Sequence, residues 1–155
     1  MKGNPDIISA LNARMVDELT AIDQYSAHLA RVAVWQYPGL VAYLEERIAD
    51  ETKHFNTLRA WIVFQGGSLA TGIINRVNVG ADIKQMHLFD RTAEETAITL
   101  YRDLVQLCIQ FKDADTRAVI EDILSDEIDH LRDLEAQLIQ IEQMGIQNYL
   151  SARLA

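Results

Sequence analysis

Cysteine is nearly absent from this 155-residue chain: Cys108 stands alone, so no internal disulfide framework can form. Proline and glycine are scarce, two and seven residues, which leaves room for long uninterrupted helices. Basic residues are outnumbered, 14 Lys and Arg against 23 Asp and Glu, for a formal net charge of −9. There is no basic cluster of the kind that grips phosphate, so nucleic acid is not an expected partner. No apolar run reaches the length of a membrane span, and the Met1-Lys2-Gly3-Asn4-Pro5 start carries no apolar signal-peptide core. No membrane partner is expected, and the cytoplasm is the expected location. An acidic excess suits the gathering of cations, although solvated helix faces are often acidic for no further reason. What the chain does have is apolar side chains, 49% of the total. At this length they suffice for one domain, residues 1–155, with a substantial core.

Those apolar residues recur in steps of three and four, the period of one helix face. Asn4-Pro5-Asp6 reads as a helix start, with a capping amide, proline at the first helical position and an acid near the positive dipole end. The first seam runs Leu11, Met15, Glu18, Ile22, Tyr25, Leu29, Val32, until Pro38-Gly39 turns the chain. A second helix carries Leu44, Ile48, Glu51, Phe55, Leu58 and Ile62, and ends at Gly66-Gly67. Periodicity then fails from Ser68 to about Gly80, a stretch too long for a tight turn, which reads as a crossover along a bundle. The third helix begins near Ala81 with seam His87, Arg91, Glu94, Ile98, Tyr101, Val105, Cys108. After a turn at Lys112-Asp113-Ala114-Asp115, the fourth shows Ile120, Leu124, Glu127, Leu131, Leu134, Leu138, Ile141, and Gly145 ends it. Residues 146–155 can form one short extra helix. At about 1.5 Å per residue the main helices would be roughly 40 Å long. The expected fold is all-α, a long four-helix bundle.

Two motifs occur twice at one offset. Asp50-Glu51-Thr52-Lys53-His54 is echoed by Asp126-Glu127-Ile128-Asp129-His130, 76 positions later. Glu18-Leu19-Thr20-Ala21-Ile22-Asp23-Gln24-Tyr25 is echoed at the same spacing by Glu94-Glu95-Thr96-Ala97-Ile98-Thr99-Leu100-Tyr101. The chain thus contains one helical hairpin in two copies, each with a lone Glu and an E-x-x-H. Glu and His three apart share a helix face and can reach one point. Any one of these glutamates alone would read as a solvated acid at a seam edge. Four at matching depth, each where Leu or Ile is expected, would repel one another and resist desolvation unless protonated or bound to cations. Two divalent ions neutralise four carboxylates, and the set is that of a carboxylate-bridged di-iron centre. Glu51 and Glu127 would bridge, Glu18 and Glu94 would be outer carboxylates, and His54 and His130 would take one ion each. Carboxylate with imidazole suits iron or manganese, and zinc could also bind, whereas calcium and magnesium sites are typically all-oxygen.

Tyr25 and Tyr101 lie on the faces of Glu18 and Glu94 and could hydrogen-bond ligands or simply pack. Asp50 and Asp126 could orient the opposite histidines, lead iron onward or merely face solvent. Glu46, one turn before Asp50, reads more readily as a solvated acid than as an iron way-station. His28 and His87, without an acid at ligand spacing, read as surface or seam histidines. Cys108 reads as a small buried hydrophobe, and Trp35 and Trp61 as packing or interface residues.

The order E, E-x-x-H, E, E-x-x-H, the Met-Lys-Gly-Asn-Pro start and the near-terminal Ile146-Gln147-Asn148-Tyr149-Leu150 together resemble bacterioferritin over essentially the whole chain. The resemblance implies a ferritin-like bundle with a long crossover and a short C-terminal helix, assembled into a 24-subunit cage. It implies a ferroxidase: Fe(II) oxidised by oxygen or peroxide at Glu18, Glu51, His54, Glu94, Glu127 and His130, with ferric mineral stored inside. It also brings an expectation of haem, held by a methionine directly after the first bridging glutamate. Here that position is Thr52, whose hydroxyl is a poor substitute for a thioether, so the departure weighs against haem. The chain could form a haem-free cage alone or join a haem-binding subunit. Rival readings are a non-catalytic structural subunit of a mixed cage and a rubrerythrin-like peroxidase. The latter lacks the C-x-x-C pair for a rubredoxin-type iron. A DNA-protecting mini-ferritin fits less well, since both E-x-x-H motifs lie in one chain.

Overall fold

Local sequence signals set the limits of five helices: α1 (Pro5–Trp35), α2 (Pro38–Phe64), α3 (Ile83–Gln110), α4 (Ala114–Met144) and the short α5 (Ile146–Ser151). The computed structural model describes residues 2–155; Met1, the first residue of the start motif, lies outside the described residues. The Asn4 side chain accepts from the amides of Asp6 and Ile7, with Pro5 just inside the helix. Gln36, left-handed at φ 60°, closes α1, and Pro38 opens α2. Asp82 caps α3 by accepting from Gln85 N, and Asp113 caps α4 through Thr116 N. Gly145 (φ 77°) ends α4 in a conformation that side chains disfavour. The fold is all-α, as expected, with the extra C-terminal helix in place.

α1 packs on α2 and α3 on α4 as two hairpins, α1 lies against α3, and α5 folds back on α4. Tyr149 of α5 anchors that return: its hydroxyl donates to Gln137 Oε1 (2.6 Å) and lies 2.9 Å from His87 Nε2. The apolar core is in two parts. One gathers Ile7, Leu11, Leu58, Ile62, Leu104, Cys108 and Ile120; the other gathers Val32, Leu40, Leu44, Ile83, Met86, Ile141 and Tyr149. The four glutamates 18, 51, 94 and 127 and the histidines 54 and 130 belong to neither cluster and are all buried. Cys108 is fully buried, as its seam position indicates. Trp61 is partly buried and donates to Thr116 Oγ1 at 2.9 Å.

The seams shift from expectation in one informative way. On α1, Gln24 and His28 are buried, whereas Ile22 and Leu29 are only partly so. The cause is the crossover. An extended segment lies along α1, and a polar stripe spaced by multiples of four receives it. Asn12 accepts from Ala70 N (2.7 Å) and donates to Ser68 O (2.9 Å); Thr20 accepts from Asn75 N (2.9 Å). Gln24 accepts from Asn78 N and His28 Nε2 from Gly80 N, each at 3.1 Å. Backbone groups of a segment with no strand partner are satisfied by helix side chains instead. Among the described residues no helix is long and apolar enough to cross a membrane.

Candidate di-metal site

The 76-residue repeat places equivalent groups on opposite sides of one point. Two groups of four, Glu18, Glu51, His54, Glu127 and Glu51, Glu94, Glu127, His130, each bring their ligand atoms within 4.8 Å of one another. Glu51 and Glu127 belong to both groups, which is what a pair of bridging carboxylates requires. His54 Nδ1 is 3.2 Å from both Glu51 Oε2 and Glu127 Oε1 and 3.9 Å from Glu18 Oε2. His130 Nδ1 is 3.1 Å from Glu51 Oε1, 3.2 Å from Glu127 Oε2 and 3.6 Å from Glu94 Oε1. The structure thus brings together all six residues singled out by the repeat.

These atoms face a common point more than they face each other. Glu51 Oε1, Glu127 Oε2 and His130 Nδ1 are buried without a hydrogen bond of acceptable geometry, despite their proximity. Orphaned buried acceptors are costly unless something else satisfies them, and a cation at the common point does so. The electrostatics agree. Burial raises the carboxyls of Glu18 and Glu51 well above the usual range, and the neighbouring charges of Glu51 and Glu94, respectively, raise them further. Glu94 is raised by burial, and Glu127 well above its usual range by burial and then the charges of Glu51, Glu18 and Glu94. Divalent cations would relieve both causes, and the mixed oxygen and nitrogen donor set fits iron, manganese or zinc.

A surrounding layer holds the six in place. Tyr25 donates to Glu94 Oε1 at 2.7 Å and Tyr101 donates to Glu18 Oε1; burial foremost raises both phenols, so they remain protonated donors. Asp126 Oδ2 lies 3.0 Å from His54 Nε2, and Asp50 Oδ2 lies 3.3 Å from His130 Nε2. Each acid serves the opposite hairpin's histidine. Glu46 is exposed, in keeping with a solvated acid.

Of the surface and seam readings of His28 the structure supports the seam, since the residue is fully buried, but it does have an acid, distant in sequence: its Nδ1 is 3.1 Å from Asp90 Oδ2. Because Nε2 accepts from Gly80 N, the proton sits on Nδ1 and is donated to Asp90, which also accepts from Gln24 Nε2 at 2.8 Å. This buried trio escapes a repeat-based reading because its positions are not duplicated: Leu100, Leu104 and Arg14 stand where copies of Gln24, His28 and Asp90 would fall.

A four-helix bundle whose two hairpins converge four carboxylates and two imidazoles on one buried point has a donor set suited to holding metal ions. Residues 8–144 match the model of the ferritin-like domain family. The chain is 31% identical over 156 residues to a bacterial ferritin of Synechocystis sp., covering 100% of both chains. It is 33% identical over 151 residues to a bacterioferritin of Streptomyces coelicolor, covering 97% of this chain and 90% of that one. A bacterioferritin of Brucella melitensis is 28% identical over 149 residues, with 96% and 92% covered. The chain belongs to the ferritin-like family, as a relative of the bacterioferritins.

Proposed function

We propose that this protein is an iron-storage subunit with ferroxidase activity. Its substrate is Fe(II), bound in pairs by Glu18, Glu51, His54, Glu94, Glu127 and His130. Two electrons leave the pair for oxygen, giving hydrogen peroxide with two protons, or for peroxide, giving water. The ferric product passes to a mineral held in a cage of many copies, 24 in the arrangement the resemblance implies, as a cytoplasmic protein. The observation that carries this reading is the sharing of Glu51 and Glu127 by two overlapping donor sets, in which Glu51 Oε1, Glu127 Oε2 and His130 Nδ1 are buried without a hydrogen-bond partner. The names of the relatives, bacterial ferritin and bacterioferritin, support iron as the metal.

The chain's own residues define what each part contributes. Glu51 and Glu127 can neutralise both ions at once. Asp126 and Asp50 hold His54 and His130 with Nδ1 directed inward. Tyr25 and Tyr101 fix the outer carboxylates by hydrogen bonds that do not titrate near neutrality. Haem does not fit. The Thr52 hydroxyl donates to the Ile48 carbonyl at 2.6 Å, a bond within its own helix turn, and the residue offers no sulfur to iron. A haem-free cage is the reading, either of this chain alone or with a second, haem-binding subunit.

Aerobic Fe(II) titration of metal-stripped protein tests the proposal. A fast ferric absorbance phase saturating near two irons per chain, with no haem Soret band, is the expected result. In Glu127→Ala the fast phase should fall by about 10²-fold or more while the helical circular dichroism persists, because one bridging carboxylate is gone. Oxidation at the wild-type rate in that variant would overturn the assignment, and a Soret band in the purified protein would overturn the haem-free reading.

A further inference from the structure

We infer that Arg47 loosens the metal ion at the Glu94–His130 position more than the ion at the Glu18–His54 position, an inference that rests on the di-metal reading. Among the described residues Arg47 is the one buried Arg or Lys, at 8% exposure. Its Nε and Nη1 are buried without a hydrogen-bond partner. Nη2 lies 3.7 Å from Asp50 Oδ2, beyond hydrogen-bond reach, and the guanidinium carbon stands 5.7 Å from the centre of the Tyr43 ring. A cation this dry and this poorly paired is costly to keep. The repeat shows that the fold does not need it: the matching position of the second hairpin is Ile123, also buried.

Its charge falls on one side of the centre. Asp50, beside Arg47, is the acid that backs His130, with Oδ2 3.3 Å from Nε2. Asp126, which backs His54, instead has Lys53 Nζ at 3.8 Å. That lysine is 73% exposed and screened by water, whereas the guanidinium of Arg47 is not. Burial raises the carboxyls of Glu51 and Glu94, and the charge of Arg47 works against that rise at both. Glu94 is the outer carboxylate of the His130 group, and Glu51 is shared by the two groups. The charge of Asp90 acts at Glu94 in the opposite sense. It offsets Arg47 in part of the field but does not alter the direction in which removing Arg47 acts.

Coulomb's law gives that direction. A dication is repelled by Arg47 about twice as strongly as one carboxylate at the same distance is attracted. Easier deprotonation of Glu94 therefore does not cancel the repulsion of the ion that Glu94 binds. A trivalent ion is repelled more again. Arg47 thus makes the Glu94–His130 position the one from which an oxidised ion is helped to leave, as a centre that hands its product onward requires.

Zinc, added to the metal-stripped full chain at one ion per chain and placed by anomalous diffraction at the zinc edge, tests the inference. In Arg47→Met the ratio of zinc at Glu94–His130 to zinc at Glu18–His54 should rise by about fivefold or more over the wild type. Arg47→Gln, a second neutral variant, carries the same expectation, while Arg47→Lys, which keeps the charge, should stay near the wild-type ratio. Calorimetric titration to two zinc ions should show tighter total binding in the neutral variants. A merely structural role for Arg47 would weaken both positions together and leave the ratio where it was. An unchanged ratio in both neutral variants, or a shift toward Glu18–His54, would overturn this inference and leave the di-metal reading standing. Zinc at neither position in the wild type would overturn the di-metal reading, and this inference with it.

Discussion

Each histidine of the centre is held from behind by an acid of the opposite hairpin, and that contact selects the nitrogen that can bind metal. Asp126 accepts from His54 Nε2, so Nδ1 presents its lone pair to Glu51 and Glu127. Removing such a partner frees the ring and its tautomer. Asp126→Ala should therefore lower divalent-metal affinity by about 10–100-fold, measured by zinc competition with a chromogenic chelator; unchanged affinity would mean that packing alone orients His54. His87 gives a second prediction at this scale. Burial, foremost, and then the charge of Arg153 depress its pKa to about 3 from 6.5. Below pH 6.5 the unfolded chain takes up the proton and the folded one does not, so this stabilising contribution is full above pH 6.5 and is lost as pH falls toward 3. Between pH 7 and 5, His87→Gln should lose less melting temperature than the wild type, and an equal loss would refute the assignment. The six residues that the structure brings to one buried point were legible in sequence because they are duplicated and the glutamates stand where Leu or Ile belongs. The Gln24–His28–Asp90 trio was not, because its partners are 62 and 66 residues apart and have no second copy.

At the scale of elements, caps and breakers made the helices readable, since Asn4, Pro38, Asp82, Asp113 and Gly145 all act within one turn of sequence. The crossover was readable only as a loss of period. Its attachment depends on which face of α1 it covers, so the burial of Gln24 and His28 in place of Ile22 and Leu29 follows from tertiary packing that no local window contains. The end of this segment is the most constrained. A Cβ on Gly80 would lie 2.4 Å from Met86 N and 2.7 Å from Met86 Cα, backbone atoms of the first turn of α3 that cannot swing aside. Gly80 N also donates to His28. Gly80→Ala should therefore cost about 1–3 kcal/mol of stability, or roughly 2–4 °C of melting temperature per kcal/mol at this size. Thermal and urea unfolding check it. A midpoint equal to wild type would show that the crossover does not pack against α3 at this point.

At the scale of the whole molecule, the bundle has two apolar cores with a layer of buried ionisable groups outside both, so its stability must depend on what neutralises that layer. In the metal-free protein the glutamates 18, 51, 94 and 127 have pKa values raised above the ordinary 4.5 by burial first of all. The folded state therefore binds more protons than the unfolded one. Stability from these groups is greatest at low pH and declines as pH rises from about 4.5 through the raised values. Metal reverses the dependence, because ligand carboxylates must be deprotonated and binding releases protons. The melting temperature of zinc-loaded protein should then exceed that of metal-free protein by a gap that widens from pH 5.5 to 8, with proton release on zinc binding detectable in weakly buffered solution. The double variant Glu18→Gln, Glu94→Gln isolates the cause. Two fewer buried carboxyls should flatten the decline of the metal-free protein and shrink the zinc-dependent gap. A gap that is the same at both pH values, and the same in the double variant, would mean that zinc binds elsewhere and that the buried layer is a structural polar core.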